Sequence, residues 1–439
     1  MVPAHGMSDS IDSTESGHVA SYYAASANAF PKCPELTEAV DCDVCVIGGG
    51  ITGSSAALEL AGRGFSTVLL EANRIGWGAS GRSGGQAIFG FGCDQTKLER
   101  IVGRDQARQL WDLSLESLAL MRDRIGEHGI ECGYRAGQMH AAIKARQRNE
   151  LIEWQRLLQD DYGYESLRLI ERDELRELMA TERYIAGLFD SNSGHLHPLN
   201  YTLGLNQAAQ RAGARVYEGS PVLAVEEGDR ITTVRTPGGQ VRCRYLAVCC
   251  NAYLGNLVKP LRSKIMPVGT YIVATETLGN DLASSLIRND MAVADINFVL
   301  DYFRLSEDTR MLFGGRVSYS KIPPPTLSRS IRARMIKVYP QLAEAKIDYY
   351  WGGYVAITVN RAPHFGRVGK NIFFAQGFSG HGIALTGLAG SLIGEAVAGT
   401  AERFDLFSRI PHMPFPGGPA LRTPALVLAM AYFRLRDLL

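Results

Sequence analysis

Residues Cys42–Glu71 read CDVCVIGGGITGSSAALELAGRGFSTVLLE, and this stretch decides the fold. A short apolar run, Cys42–Ile47, leads into the pattern G-x-G-x-x-G, and an apolar helical spacing follows at Ala56–Leu60. A second apolar run, Thr67–Leu70, closes the stretch just before its terminal acid. Strand, glycine turn, helix and strand within about 30 residues predict a βαβ unit of a parallel sheet.

The three glycines of the turn suggest a dinucleotide ligand. Gly48 allows the tight turn, Gly50 lets the backbone approach a pyrophosphate, and Gly53 lets helix and strand pack closely. Backbone N–H groups at the helix start favour the phosphate charge, and Glu71 suits the ribose hydroxyls but disfavours a 2′-phosphate. NADP is therefore not expected, whereas FAD and NAD both remain open here. The residues predicted to contact the cofactor are Gly48, Gly50, Ile51, Thr52, Gly53, Glu71 and Ala72.

Two further glycine-rich segments favour FAD. Gly76–Gln86 (GWGASGRSGGQ) directly follows the Glu71 strand, and its small residues let backbone lie against a planar ring system. Far along the chain, Ile372–Ala375 forms a predicted strand, Gln376–Gly382 (QGFSGHG) a loop, and the residues after it an apolar helix. The N-terminus of that helix would stabilise negative charge on a reduced flavin. The cofactor contacts predicted here are Ser80, Gly81, Arg82 (a candidate phosphate partner), Ser83, Gly84, Gly85, Gln86, Val222, Asn251, Gly377, Gly380, His381 and Gly382.

The segments GGGITG, SGRSGGQ and GFSGHG, in this order and spacing, resemble the D-amino-acid oxidase superfamily, which includes glycine oxidase and sarcosine oxidase. Other stretches resemble its γ-glutamylputrescine-oxidising members: Ser21–Asn28, Gly194–Asn200, Asn251–Gly255 and 415–418. This resemblance implies an FAD-dependent amine oxidase that forms an aldehyde, ammonia and hydrogen peroxide, with oxygen as acceptor. Two alternatives stay open: an oxidase or dehydrogenase of another amine or amino acid, and a flavoprotein that passes electrons to a protein partner.

Two departures from sarcosine oxidase carry expectations. In that relative a cysteine shortly before the last strand is bonded to FAD, but Ala356–Phe374 contains none, so non-covalent FAD is expected. A lysine two residues after the G-H-G holds the substrate carboxylate there. This chain has Ala384 at that position.

The predicted fold is α/β, with a discontinuous Rossmann-like FAD-binding domain and a second α+β substrate domain that carries an antiparallel sheet. The glycine segments lie at opposite ends of the chain, so the FAD domain is placed at 38–92, 185–255 and 352–405. The substrate domain takes 93–184 and 256–351. Residues 1–37 are expected to form a partly disordered extension, and 406–439 a C-terminal extension with a short helix at 424–439.

Four residues are candidates for the substrate pocket. In Asp301-Tyr302-Phe303-Arg304, alternation along a strand places Tyr302 and Arg304 on one face, so Tyr302 is either a pocket wall or a core tyrosine. Arg316 is a candidate for pairing with a distant substrate carboxylate, although most arginines are solvated. Trp351 and Tyr354 either line the cavity or pack a domain junction. His195 and His197 have no assigned role, and two histidines without a third ligand predict no metal site.

Composition excludes some partners. Lys and Arg number 46 and Asp and Glu 45, so the net charge of +1 does not favour nucleic acid. No apolar run has the length of a membrane span. Cys42-x-x-Cys45 lies in a predicted strand, where alternation would put the thiols on opposite faces, and reduced core cysteines and a cytoplasmic protein are expected. The sequence gives no indication of oligomeric state.

Overall fold

The computed structural model describes residues 17–297, 299–318 and 326–416, with only the backbone for 316–318. The helices are α1 (Tyr22–Ala25), α2 (Ile51–Gly62), α3 (Gln95–Val102), α4 (Arg104–His128), α5 (Ala145–Arg156), α6 (Arg172–Leu178), α7 (Pro198–Arg211), α8 (Lys259–Arg262), α9 (Asn280–Leu286), α10 (Leu327–Val338), α11 (Leu385–Val397) and α12 (Glu402–Ser408). Short 3₁₀ turns lie at Ala79–Gly81, Asn251–Tyr253 and Pro340–Leu342, and a π turn at Leu157–Asp161.

The strands form two sheets. They are β1 (Ala39–Ile47), β2 (Thr67–Leu70), β3 (Gln86–Ala87), β4 (Arg135–Ala142), β5 (Leu167–Glu171), β6 (Ala186–His195), β7 (Arg215–Tyr217), β8 (Ala224–Glu227), β9 (Thr232–Arg235), β10 (Gln240–Val248), β11 (Met266–Thr275), β12 (Ala292–Asp295), β13 (Tyr302–Leu305), β14 (Met311–Ser318), β15 (Ile347–Ile357), β16 (His364–Val368) and β17 (Ile372–Gln376).

The first sheet has the order β16-β17-β10-β1-β2-β7, and the hairpin β8–β9 joins it along β10. Strands β7, β2, β1, β10 and β17 are mutually parallel. Every residue of β2 is buried, as expected for a strand covered on both faces. Helix α2 connects β1 to β2, which confirms the predicted βαβ unit.

The second sheet has the order β15-β11-β14-β13-β12-β4-β6-β3, and β5 pairs with β6. All its pairings are antiparallel except that of β12 with β4. The predicted combination of a Rossmann-like parallel sheet and a mainly antiparallel second sheet is confirmed. The boundaries proposed for the two domains stay a prediction.

Two features of the elements concern the predicted domains. The helical part of 93–184 begins with two separate helices, α3 and α4, because Gly103 between them has φ +84°. Strand β13 begins at Tyr302, the candidate pocket residue. The predicted helix at 424–439 lies outside the described residues.

The expectation for the two cysteines of C-x-x-C is wrong. Cys42 and Cys45 pack against the same apolar cluster, beside Cys243, rather than on opposite faces. The N–H groups of Asp43 and Val44 both donate to the carbonyl of Ser66, and the regular alternation of β1 is interrupted there, because Val44 packs in a different apolar cluster from Cys42 and Cys45. All eight cysteines have free thiols, and each is buried or half-buried.

None of the helices within residues 17–416 that the structure describes has both the length and the apolarity to cross a bilayer.

Candidate active site

The first glycine turn is closed by backbone contacts. Gly48 has φ +106°, and its N–H donates to the carbonyl of Leu70 at 2.8 Å. A Cβ built on Gly53 would lie 1.8 Å from the carbonyl oxygen of Gly48, so only glycine fits there. Gly50, Ile51 and Thr52 follow at the start of α2, where the helix N-terminus favours an anion.

Ser80 connects this turn to the second glycine segment. Its hydroxyl accepts a hydrogen bond from the Ile51 N–H at 3.0 Å, and a Cβ on Gly50 would lie 2.8 Å from the same oxygen. The sequence predicted a cofactor contact for Ser80, and the structure shows it capping α2. The first two glycine segments are therefore adjacent.

Glu71 holds the turn in shape through its carboxylate. Oε2 accepts from the Gly49 N–H at 2.7 Å, and Oε1 accepts from the Asn73 N–H at 2.9 Å. Burial raises the pKa of this carboxyl group above its usual value. Ala72 is exposed beside it, and Val222 is half-buried two residues after Ser220, whose N–H donates to the Glu71 carbonyl.

Arg82 is buried among aromatic and backbone groups. Its guanidinium stacks over the Trp77 ring at 4.0 Å, and Nε donates to the Trp77 carbonyl at 2.6 Å. The carbonyl of Arg82 accepts from Trp351 Nε1 at 2.9 Å. A phosphate contact for Arg82 stays a prediction, because the described contacts tie it to the loop and to β15.

Asn251 organises the third glycine segment. It has φ +46°, and its Oδ1 accepts from the Gly377 N–H at 2.9 Å. Gly377 itself has φ +74°, and a Cβ there would lie 2.5 Å from Thr358 Cγ2. Gly380, His381 and Gly382 then lead into α11.

The glycine segments leave polar atoms that suit a bound cofactor. Ser83 Oγ and His381 Nδ1 are buried and have no hydrogen-bond partner among the described residues. Burial lowers the pKa of His381 to about 4, so its imidazole is neutral at neutral pH. Buried polar atoms are normally satisfied, so these two point to a polar ligand, and the segments fit a flavin dinucleotide.

Tyr302 lies against the second glycine segment. A Cβ on Gly84 would be 2.7 Å from its ring, and one on Gly314 would be 2.0 Å from it. Arg304 contacts the same loop, whereas Phe303 faces the other side and stacks on Phe313 at 5.5 Å. The predicted alternation is confirmed. Burial raises the pKa of Tyr302, so its hydroxyl stays neutral.

The remaining candidates lie where the second sheet meets the glycine segments. Trp351 is buried and hydrogen-bonded to the Arg82 carbonyl. The Tyr354 ring packs on that of Tyr253 at 5.9 Å, and the Tyr354 backbone N–H donates to the Tyr253 hydroxyl. Arg316 belongs to β14, but its side chain lies outside the described residues. At the end of the second glycine segment, the side-chain amide of Gln86 donates to the carbonyl of Val293 at 3.1 Å.

Sequence reasoning missed His140. It pairs with Ala294, which pairs with Tyr302 across the next strand, so all three residues share one face of the sheet. Its ring lies 4.9 Å from that of Trp154, and burial, followed by the charge of His381, lowers its pKa to about 3. The only sequence signal was a histidine within an apolar strand.

His195 and His197 have structural contacts. His195 Nε2 lies 2.6 Å from the Asp290 carbonyl. His197 caps α7, because its Nδ1 accepts from the Asn200 N–H at 3.1 Å, and its Nε2 lies 3.1 Å from Ser26 Oγ. In the part of the chain that the structure describes, no group of three His, Cys, Asp or Glu side chains could hold a metal ion.

Comparison with known families identifies the chain's relationships. The sequence model of the DAO family, FAD dependent oxidoreductase, matches residues 43–396. The chain belongs to this family of FAD-dependent oxidoreductases. It is 44% identical to gamma-glutamylputrescine oxidoreductase of Escherichia coli over 96% of this chain and 98% of that protein. It is also 34% identical to the probable oxidoreductase OrdL of Rhizobium meliloti, over 95% and 97%.

Solved structures of DAO proteins share the fold. A glycine oxidase from Bacillus cereus superposes with a TM-score of 0.71 at 22% identity, covering 85% of this chain and 99% of that one. L-proline dehydrogenase from P. horikoshii superposes with a TM-score of 0.67 at 21% identity, covering 84% and 94%. At these identities the likeness concerns the fold.

Proposed function

We propose that this DAO oxidoreductase oxidises γ-glutamylputrescine at its primary amine. The amine carbon loses a hydride and the amine nitrogen loses a proton, which leaves an imine. Water then hydrolyses the imine, so that amine, oxygen and water give aldehyde, ammonia and hydrogen peroxide. The observation that carries the proposal is the 44% identity to a gamma-glutamylputrescine oxidoreductase over nearly the full length of both chains.

Bound FAD would supply the redox chemistry, as the acceptor of the hydride and the source of electrons for oxygen. The chain's residues bind and orient it. The α2 N-terminus at Gly50 would hold the pyrophosphate, Glu71 the ribose, and the α11 segment with His381 the ring system. The hydrogen bond between Ser80 and Ile51 holds the first two glycine segments together, and the one between Asn251 and Gly377 holds the third in place.

The substrate-facing side favours a neutral amine. Burial raises the pKa of Tyr302, and His140 on the same face of the sheet has a pKa of about 3, so both side chains are uncharged at neutral pH. These uncharged groups and the positive charge of Arg304, which shares the face of Tyr302, disfavour an ammonium group, and only the neutral amine can give up a hydride. Tyr302, Trp351 and Tyr354 would form the aromatic wall, and Arg316 would hold the distant substrate carboxylate.

Ala384 supports a substrate without a carboxylate next to the reacting carbon. It is buried at the start of α11, in an apolar cluster with Phe89 and Ile383. A methyl group there cannot pair with a carboxylate, whereas γ-glutamylputrescine carries its carboxylate far from the amine. The long methylene spacer therefore avoids an unpaired buried charge.

We also propose that FAD is held without a covalent bond, that the protein works in the cytoplasm, and that the domain boundaries are those predicted. The absence of cysteine between Ala356 and Phe374 motivates the first point. Acid precipitation should leave the yellow colour in the supernatant. Flavin that stays with the pellet would overturn the non-covalent assignment.

Product stoichiometry in air tests the reaction. The purified FAD-loaded protein is mixed with γ-glutamylputrescine, and oxygen uptake, ammonia, aldehyde and peroxide are measured together. Equal amounts of all four are expected. Ammonia and aldehyde formed without oxygen uptake, and only when an artificial electron acceptor is added, would replace the oxidase assignment with electron transfer to another partner.

A further inference from the structure

The segment Ser21–Ala29, here called the strap, precedes the part of the chain that the DAO family model matches, residues 43–396. It is nevertheless built into the molecule. Ser21 caps the short helix α1 by accepting from the Ala24 N–H at 3.1 Å, and both tyrosines of that helix are buried. Asn28 attaches the other end, since its N–H donates to Asn200 Oδ1 at 2.9 Å.

Tyr23 lies at the junction of the strap with the candidate active site. Its side chain is completely buried, with its ring 5.3 Å from that of Trp351 and 4.9 Å from that of His197. Its hydroxyl accepts a hydrogen bond from Arg304 Nη2 at 3.0 Å. Trp351 in turn donates to the carbonyl of Arg82. Tyr23 therefore contacts two residues, Trp351 and Arg304, that are hydrogen-bonded to the second glycine segment.

Arg304 extends this contact to the loop itself. Its Nε donates to the Gly84 carbonyl at 2.9 Å, Nη2 to the Leu196 carbonyl at 2.9 Å, and Nη1 to the Leu305 carbonyl at 3.0 Å. The side chain is buried, and among the described residues no carboxylate forms an ion pair with it. A buried guanidinium held by neutral oxygens needs each of these acceptors, because every lost one leaves an N–H unsatisfied.

We propose that Tyr23 and Arg304 form a latch through which the strap fixes the loop Gly84–Gln86 against the flavin. Both are positioning residues, and neither is assigned contact with reacting atoms. Gly84 and Gly85 have no side chains to pack, so the loop is held through its backbone: the Gly85 carbonyl accepts from the Leu196 N–H at 2.9 Å, and the Gly84 carbonyl accepts from Arg304. Arg304 holds it from one side, and Tyr23 holds Arg304. The inference rests on the assignment of this loop to the cofactor and is independent of the amine substrate.

Two neighbouring tyrosines offer a matched test. Tyr23→Phe removes the acceptor for Arg304, while Tyr22→Phe removes a comparable hydrogen bond from the Tyr22 hydroxyl to Asp308 Oδ1, 2.7 Å away. A hydrogen bond to a charged group is worth about 1.5–3 kcal/mol, and 1.4 kcal/mol corresponds to tenfold in affinity. We expect Tyr23→Phe to raise the Kd for FAD about tenfold and to alter the visible spectrum of the bound flavin.

The control separates positioning from general stability. Tyr22→Phe should lower the melting temperature by a similar amount but leave the FAD Kd and spectrum unchanged. Equal changes in FAD affinity for both variants, or an unchanged Kd in Tyr23→Phe, would overturn the latch. FAD binding needs no amine, so this result is independent of whether γ-glutamylputrescine is the substrate.

A double-mutant cycle provides a second measurement. Arg304→Lys keeps the charge but loses the planar fork that reaches the Gly84 and Leu196 carbonyls together. It should weaken FAD binding about as much as Tyr23→Phe does. The double variant should then be little worse than either single one, because both changes break the same chain of contacts. Additive losses in FAD affinity would contradict the proposal.

Discussion

The two strand–glycine–helix units of this oxidoreductase are built differently. In the first, backbone fills the space at the first and last glycine: a Cβ on Gly53 would lie 1.8 Å from the Gly48 carbonyl oxygen, and one on Gly48 would lie 2.9 Å from that of Cys249. In the second, a Cβ on Gly382 would meet no described atom closer than 3.6 Å, and His381 Nδ1 has no hydrogen-bond partner among the described residues. The first turn is therefore closed by backbone at both of its ends, whereas the described residues leave the space at Gly382 open.

The same two units pack directly on each other. A Cβ built on Gly390 of α11 would lie 2.4 Å from the Thr52 carbonyl of α2. Ser55 of α2 also donates to the Gly387 carbonyl at 2.5 Å. A substitution that displaces the start of one helix can therefore displace the other. Substitutions at the glycines test how independent the two units are.

The largest effect is expected for Gly53→Ala. The added methyl group would force the Gly48 carbonyl away, which should cost about 3 kcal/mol of stability and abolish FAD retention. Gly382→Ala is the control in the second unit and should leave the stability of the FAD-free protein unchanged, because its Cβ would meet no described atom closer than 3.6 Å. Unfolding in urea and the flavin content after gel filtration measure both effects. Equal tolerance of the two substitutions would remove the contrast between the units.

Gly50→Val should come next. Its Cβ would approach Ser80 Oγ to 2.8 Å, and the branched side chain would block the pyrophosphate at the α2 N-terminus. We expect FAD affinity to fall about a hundredfold, equivalent to two tenfold steps of 1.4 kcal/mol. Gly62→Ala, whose Cβ would meet no atom of the described residues within 4 Å, is the control at the other end of the helix. Full FAD content in Gly50→Val would refute the assignment of this turn.

Acid should affect the second unit more than the first. Burial lowers the pKa of His381 from 6.5 to about 4, so the unfolded chain binds a proton here that the folded chain does not. This stability is present above pH 6.5 and is lost as the pH falls toward 4. Between pH 7 and pH 5 the loss should be about 2 kcal/mol.

His381→Asn removes this dependence, and urea unfolding of both proteins at the two pH values measures it. The wild type should lose about 2 kcal/mol more than the variant does on acidification. The first turn, Gly48–Gly53, has no histidine and should contribute nothing to this difference. The same loss in His381→Asn would show that the histidine is not the source.

The contrast also explains what the sequence alone could predict. Gly48, Gly50 and Gly53 act through local backbone geometry, so their spacing and the flanking alternation predicted β1, α2 and β2 correctly. The latch could not be predicted, because Tyr23 and Arg304 are 281 residues apart and meet only through the packing of the strap. His140 was missed for a similar reason, since its neighbours come from β12 and the α11 loop.

One wrong expectation has an equally physical cause. The alternation of β1 is interrupted at Asp43 and Val44, whose N–H groups share the Ser66 carbonyl, and this contact with the residue just before β2 is not contained in the local sequence pattern. Strand periodicity therefore placed Tyr302 and Phe303 correctly in a regular hairpin but misplaced Cys42 and Cys45.

Anaerobic reduction of the bound flavin by different amines tests the central claim, that a site with Ala384 at the start of α11 selects an amine without an adjacent carboxylate. An unpaired buried carboxylate costs several kcal/mol, on the order of a thousandfold in binding. At matched concentrations γ-glutamylputrescine should bleach the flavin much faster than glycine or sarcosine, with putrescine in between. Bleaching by sarcosine or glycine as fast as by the long amine would contradict the account and favour an α-amino-acid oxidase.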